Sequence, residues 1–169
     1  MSISKGTKGA AGVNFVAAEL SMLGKVALPT TRNVKGPDIV VFDPETLKAV
    51  FIQVKSTDKP NSGWMVPPLG ADVTDWEAVF RRTVVPGENY FYVFVALPSD
   101  KQPQPLYYIV PSAEMADSIV RDTKFYHSQK DTKPKPHEPM AWAYFDKDGG
   151  LKAKYLNRWD LLNLEKPGP

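Results

Sequence analysis

The stretch Gly36-Pro37-Asp38-Ile39-Val40-Val41-Phe42-Asp43-Pro44-Glu45-Thr46-Leu47-Lys48-Ala49-Val50-Phe51-Ile52-Gln53-Val54-Lys55 decides the fold. Two runs rich in β-branched and apolar residues, Ile39 to Phe42 and Val50 to Lys55, flank a turn at Pro44-Glu45-Thr46-Leu47. That order reads as strand, turn, strand. If the two form a plain hairpin in which Asp43 faces Lys48, Asp38 stands opposite Gln53, with Cβ atoms about 5 Å apart. Side chains alternate along a strand. Asp38 then shares a face with Val40 and Phe42, while Phe51, Gln53 and Lys55 share one face of the second strand.

Upstream, Val13 to Gly24 lacks proline and ends on glycine, a common helix stop. On a helical wheel of about 100° per residue, Met22, Phe15, Leu23, Val16, Leu20 and Val13 form an apolar arc with Glu19 inside it. Ser21, Asn14 and Lys25 fall opposite. An unpaired buried carboxylate costs several kcal/mol, so Glu19 is expected to meet a cation, a metal or a buried water network. Glu19, Asp38, Gln53 and Lys55 are thus four polar residues in segments that otherwise read as core, and one shared metal site would explain all four. Plainer readings stand beside it. Glu19 could pair with Lys55, Asp38 could be a turn residue after Gly-Pro, and Gln53 and Lys55 could lie on a solvated strand face.

A glutamate-bearing helix, then Gly-Pro-Asp, then Gln-x-Lys one strand later resembles the PD-(D/E)XK nuclease superfamily. Within it, the chain looks like the small Holliday-junction-resolvase-like branch. Glu19, Pro37-Asp38 and Gln53-Val54-Lys55 carry the resemblance, with Ser56 in keeping. It covers the first third of the chain closely and extends weakly to Tyr90–Leu97 and Tyr107–Pro111. It implies an α/β fold in the restriction-endonuclease-like architecture, a mixed central β-sheet flanked by helices, over a single domain of residues 1–169. It also implies a Mg²⁺- or Mn²⁺-dependent DNA endonuclease. Glu19, Asp38 and Gln53 would be the metal ligands, with the Val54 carbonyl beside them, and Lys55 would act on the attacking water or the developing charge. The family usually has Asp or Glu where this chain has Gln53. An amide oxygen brings no charge, so metal affinity should fall. A catalytically weak or inactive nucleic-acid-binding module on the same fold is the alternative, and a structural protein with a salt-bridge network is a third reading.

Composition bounds these readings without choosing among them. The chain has 169 residues, 43% of them hydrophobic, enough for one sizeable core. It has no cysteine, which rules out disulfides and thiolate metal sites and suits a reducing cytoplasm. No apolar run approaches a membrane span, and no signal-peptide core opens the chain. A net charge of +2 is weak support for nucleic acid. A homodimer is left open.

The remaining segments read coarsely. Lys25 to Thr30 suits a short edge strand, Trp64 to Val66 a strand, and Asp75 to Arg82 a helix. Tyr90 to Leu97 and Leu106 to Val110 read as strands, Ser112 to Arg121 as a helix and Asn157 to Leu164 as a short last helix. A polar, proline-rich stretch over 122–139 reads as a mobile flap. Ala141 to Phe145 and Leu151 to Tyr155, joined by Asp148-Gly149-Gly150, suggest a hairpin. Arg32, Lys35 and Ser56 are candidate nucleic-acid contacts, and Trp64 could stack on a base. Gly6, Gly9 and Gly12 read as a glycine-rich approach to the helix, without the Gly-Lys-Ser/Thr of a phosphate loop. His127 and His137 have no partners at metal-ligand spacing.

Overall fold

The computed structural model describes residues 4–31, 36–59, 64–65, 77–78, 81, 84–85, 87–128, 142–143 and 154–164. Helix α1 (Lys5–Met22) starts at Lys5 rather than Val13, because Ser4 caps it and accepts the Thr7 N–H at 3.1 Å. Gly6, Gly9 and Gly12 therefore lie inside the helix. Gly12 is there for contact: a Cβ at this position would sit 2.6 Å from the Ser56 Cβ. Glycine weakens a helix by about 1 kcal/mol, but here it lets α1 come close enough to the sheet to bury Val16 and Leu20 completely. The helix stops as expected at Gly24, which has a φ of 75°.

Five strands form the main sheet: β1 (Val26–Pro29), β2 (Ile39–Phe42), β3 (Ala49–Thr57), β5 (Tyr90–Ala96) and β6 (Leu106–Pro111), in the order β1-β2-β3-β5-β6. Strand β4 (Trp64–Met65) lies apart and pairs with β7 (Trp142–Ala143). Among the described residues only the β3–β5 pair is parallel, so the sheet is mixed. Strand β1 is an edge strand, as its sequence suggested. The β2–β3 hairpin keeps the expected register, with Asp43 N–H donating to the Lys48 carbonyl at 3.0 Å and Ile39 facing Ile52.

A layer covers each face of the sheet. On one face α1 packs with Ile39, Val41, Val50, Ile52, Val54, Val93, Val95 and Ile109, joined by the 3₁₀ turn Trp159–Leu162. On the other, α2 (Ser112–Ser128) buries Met115, Ala116, Ile119 and Val120 against Tyr90, Tyr92, Phe94 and Tyr108. Every residue of β5 is buried, as expected for a central strand covered on both sides. The fold is the expected α/β class with a mixed central β-sheet flanked by helices.

A partly buried ion pair joins the connection between α1 and β1 to the hairpin: Lys25 Nζ lies 2.9 Å from Asp43 Oδ2. Asp43 Oδ1 also accepts the N–H groups of Glu45 and Thr46, which closes the turn.

Three expectations change. The polar stretch from 122 to 128 continues α2, while 129–139 lies outside the described residues, so the flap reading fails for its first part. Strand β7 pairs with β4, and residues 154–155 are helical rather than strand, while 151–153 lie outside the described residues. The chain near 154–155 is instead held by Glu114, which accepts from the Tyr155 hydroxyl at 2.7 Å and pairs with Lys154. The last helix is a short 3₁₀ turn. Among the described residues no helix is long and apolar enough to cross a membrane.

Candidate functional site

Regular pairing of β2 ends at Asp38. Its N–H donates to the Ile52 carbonyl on β3 at 2.8 Å, and its carbonyl accepts the Thr30 N–H beyond β1 at 2.9 Å. The residue thus bridges two neighbouring strands. Thr30 Oγ1 also donates to the Pro37 carbonyl at 2.7 Å, which fixes the Gly-Pro corner. With that carbonyl engaged, the Val54 N–H turns to the side chain of Asp38 and donates to Oδ2 at 2.7 Å. The same oxygen accepts from Gln53 Nε2. Asp38 and Gln53 therefore meet as the hairpin register implies.

Alternation along β3 places Phe51, Gln53 and Lys55 on the face that carries Tyr90, Tyr92 and Phe94. The Tyr90 hydroxyl donates to Gln53 Oε1 at 3.3 Å. A chain of hydrogen bonds thus runs from Tyr90 through the Gln53 amide to Asp38. Burial, and then the Asp38 charge, push the Tyr90 phenol up to about 12. Tyr92, in register with Gln53, is buried, and burial also raises its phenol. Tyr90 and Tyr92 meet edge to face with ring centroids 5.7 Å apart.

Lys55 is half-buried two residues beyond Gln53. Burial pushes its ammonium below the ordinary lysine range, and the charge on Asp38 opposes that shift. Among the described residues it makes no hydrogen bond or ion pair. A desolvated lysine without a salt-bridge partner, beside a carboxylate, is poised to meet an anionic ligand.

Glu19 is not part of this group. It belongs to α1, on the opposite face of the sheet, where it is half-buried beside Tyr107. Burial, followed by the Glu19 charge, pushes the Tyr107 phenol up to about 12. The helical wheel places Glu19 correctly toward the interior but assigns it the wrong neighbours. The apolar arc is also narrower than expected, since Met22 at the last residue of α1 is 84% exposed. Neither the shared site with Asp38 nor the pairing of Glu19 with Lys55 is formed. Among the described residues no three Asp, Glu or His side chains converge.

Ser56 is likewise corrected. Its side chain faces α1, where the hydroxyl donates to the Lys8 carbonyl at 2.7 Å, so it ties helix to sheet. Arg32, Lys35 and His137 lie outside the described residues. Tyr90 joins the site without a sequence signal. Its sequence context reads only as a buried strand, and the parallel pairing that brings it to Gln53 has no local signal.

The donor set fits a hard cation in part. Residues 52 and 54 of β3 direct their backbone groups toward β2, as the Ile52 carbonyl and Val54 N–H bonds show. The Val54 carbonyl points the same way, so it and the Asp38 carboxylate offer oxygen on one side of the strand. Gln53 turns its N–H, not its oxygen, toward Asp38.

No family model matches the chain, and no curated protein matches it. A solved structure of a bacterial homing endonuclease, I-Ssp6803I, is similar to it, with a TM-score of 0.45 and 16% identity over 94% of this chain and 91% of that one.

Proposed function

We propose that the chain is a metal-dependent DNA endonuclease of the PD-(D/E)XK type, on a restriction-endonuclease-like fold. The observation that supports this best is the cluster of Asp38, Gln53 and Lys55 on one sheet face, with Lys55 desolvated and unpaired among the described residues. Asp38 and the Val54 carbonyl would hold Mg²⁺ or Mn²⁺, and Gln53 would join them through its amide oxygen. The bound cation would supply charge neutralisation and an acidified water. Lys55 would place its ammonium on a nonbridging phosphate oxygen or on the attacking water. The Thr30 hydroxyl would hold the Asp38 corner.

One observation favours a second reading. Among the described residues Asp38 supplies the one carboxylate of the cluster, and Gln53 turns its N–H toward it. That suits a DNA-binding module with weak or no turnover.

Mn²⁺ titration followed by cleavage assays on duplex, branched and single-stranded DNA separates the two. Mn²⁺-dependent cutting that Lys55→Ala reduces at least 100-fold is expected. DNA binding without turnover at saturating Mn²⁺ would replace the endonuclease reading with the second.

A further inference from the structure

A carboxylate can only accept hydrogen bonds, so the amide group that faces Asp38 must be the Gln53 NH₂. The Gln53 oxygen then points the other way, to the Tyr90 hydroxyl at 3.3 Å. A hard cation has the opposite need, because it takes oxygen from both residues. The two demands on Gln53 exclude each other. With its N–H on Asp38 it occupies Oδ2, one of the two carboxylate oxygens available to a cation. With its oxygen toward a cation it presents its NH₂ to Tyr90.

Tyr90 does not treat the two orientations alike. It begins a buried strand and sits under the α2 layer. A tyrosine keeps its phenolic proton at neutral pH and has it to donate. In the observed orientation that proton goes to Gln53 Oε1. In the reversed orientation the hydroxyl would have to accept from the amide, and its own proton would lose this acceptor in a buried setting, which is unfavourable.

We propose that Tyr90 is a positioning residue that holds the Gln53 amide with its N–H toward Asp38, so that a cation can take the Gln53 oxygen only by turning the amide over against Tyr90. The consequence for cations rests on the endonuclease reading, whereas the positioning of Gln53 does not. A neutral amide then does more here than lack a charge: with Tyr90 it caps Asp38 and competes with the cation. A carboxylate in place of Gln53 would not compete in this way, because it can accept from Tyr90 and offer oxygen to a cation at once.

The test combines side-chain amide NMR with Mn²⁺ calorimetry on the full chain, using wild type, Tyr90→Phe, Gln53→Glu and the double variant. In Tyr90→Phe the Gln53 amide protons should exchange with solvent at least about 10-fold faster than in wild type. Mn²⁺ affinity should rise about 2- to 5-fold, as expected for releasing one long neutral hydrogen bond. In the Gln53→Glu background, Tyr90→Phe should give no such rise. Unchanged Gln53 amide exchange in a folded Tyr90→Phe variant overturns the inference, as does an equal rise in both backgrounds. If no variant binds Mn²⁺ but Tyr90→Phe still loosens Gln53, the positioning role stands and the metal-dependent endonuclease reading fails.

Discussion

The Asp38 carboxylate accepts the Gln53 amide and the Val54 N–H on the same oxygen, where regular β2–β3 pairing ends. Asp38 is therefore both a strand-end cap and the carboxylate of the candidate site. That double role changes what its removal should do. Relief of charge repulsion would leave stability unaffected, but among the described residues no second carboxylate of the site converges with it.

Asp38→Ala should lose divalent-cation binding and also stability. The Val54 N–H is left without its acceptor next to a buried side chain, which costs about 1–3 kcal/mol. Asp38→Asn keeps an accepting oxygen and should recover most of that loss without recovering cation binding. Urea denaturation and Mn²⁺ calorimetry on both variants test the pair. Equal stability of Asp38→Ala and wild type would remove the capping role.

Gln53→Glu adds a carboxylate beside Asp38, so like charges meet where a hydrogen bond stood. At neutral pH the variant should melt lower than wild type without a divalent cation. Mn²⁺ should bind about 10-fold tighter or better, the weight of one added charge at a partly buried site, and should raise the melting temperature more than in wild type. Weaker Mn²⁺ binding by the folded variant would mean that Gln53 does not stand at a ligand position.

The legible parts of this chain are those set by local chemistry. The hairpin register follows from one turn, and with it the meeting of Asp38 and Gln53 and the shared face of Gln53 and Lys55. Glu19 shows where local reasoning ends. A wheel states which side of a helix is inside, but not which face of the sheet the helix will cover, and α1 covers the face away from Asp38. Tyr90 shows the same limit for strands. Its contact with Gln53 depends on the parallel β3–β5 pairing, whose register no turn fixes. The early start of α1 is not legible in sequence, because Gly6, Gly9 and Gly12 read as a glycine-rich approach to the helix, while contact at Gly12 favours helix.

The helix–sheet contact yields a direct test. Gly12→Ala should gain up to about 1 kcal/mol of helix propensity. It should lose about 1–3 kcal/mol to overlap, since the new Cβ falls 2.6 Å from Ser56 Cβ and 2.8 Å from Ser56 Oγ. With the full propensity gain, a net loss of up to about 2 kcal/mol in urea denaturation is expected. A more stable variant would mean that α1 does not approach β3 this closely.

Acid stability should depend on the Lys25–Asp43 pair. Lys25, then the Thr46 N–H, hold the Asp43 carboxyl well below the usual carboxylate range, against an opposing effect of burial. A carboxylate depressed in the folded state contributes stability that is full above its unfolded value of about 3.9 and is lost as pH falls through the folded value. Lys25→Met should therefore move the midpoint of acid unfolding, followed by circular dichroism, to higher pH. Coincident acid transitions for the two proteins would deny the pair this role.

Lys55 separates a functional from a structural lysine most sharply. If it paired with Glu19, removing it would strand a buried charge and cost about 3–5 kcal/mol, but the sheet stands between the two residues. Burial instead lowers the Lys55 ammonium below its unfolded range, so the folded chain binds that proton less tightly. Stability should then rise with pH between the lowered folded value and the unfolded one, because the unfolded state binds more protons in that window. Lys55→Met should abolish this rise and melt higher than wild type at neutral pH, since a desolvated charge is replaced by an apolar chain of similar length. Single-turnover DNA cleavage should fall about 100-fold or more, the scale of losing one electrostatic donor to a transition state. Mn²⁺ affinity should change little, because an ammonium is not a ligand. A variant that melts lower than wild type at neutral pH and cleaves at the parent's rate would show that Lys55 holds the fold together and takes no part in the chemistry.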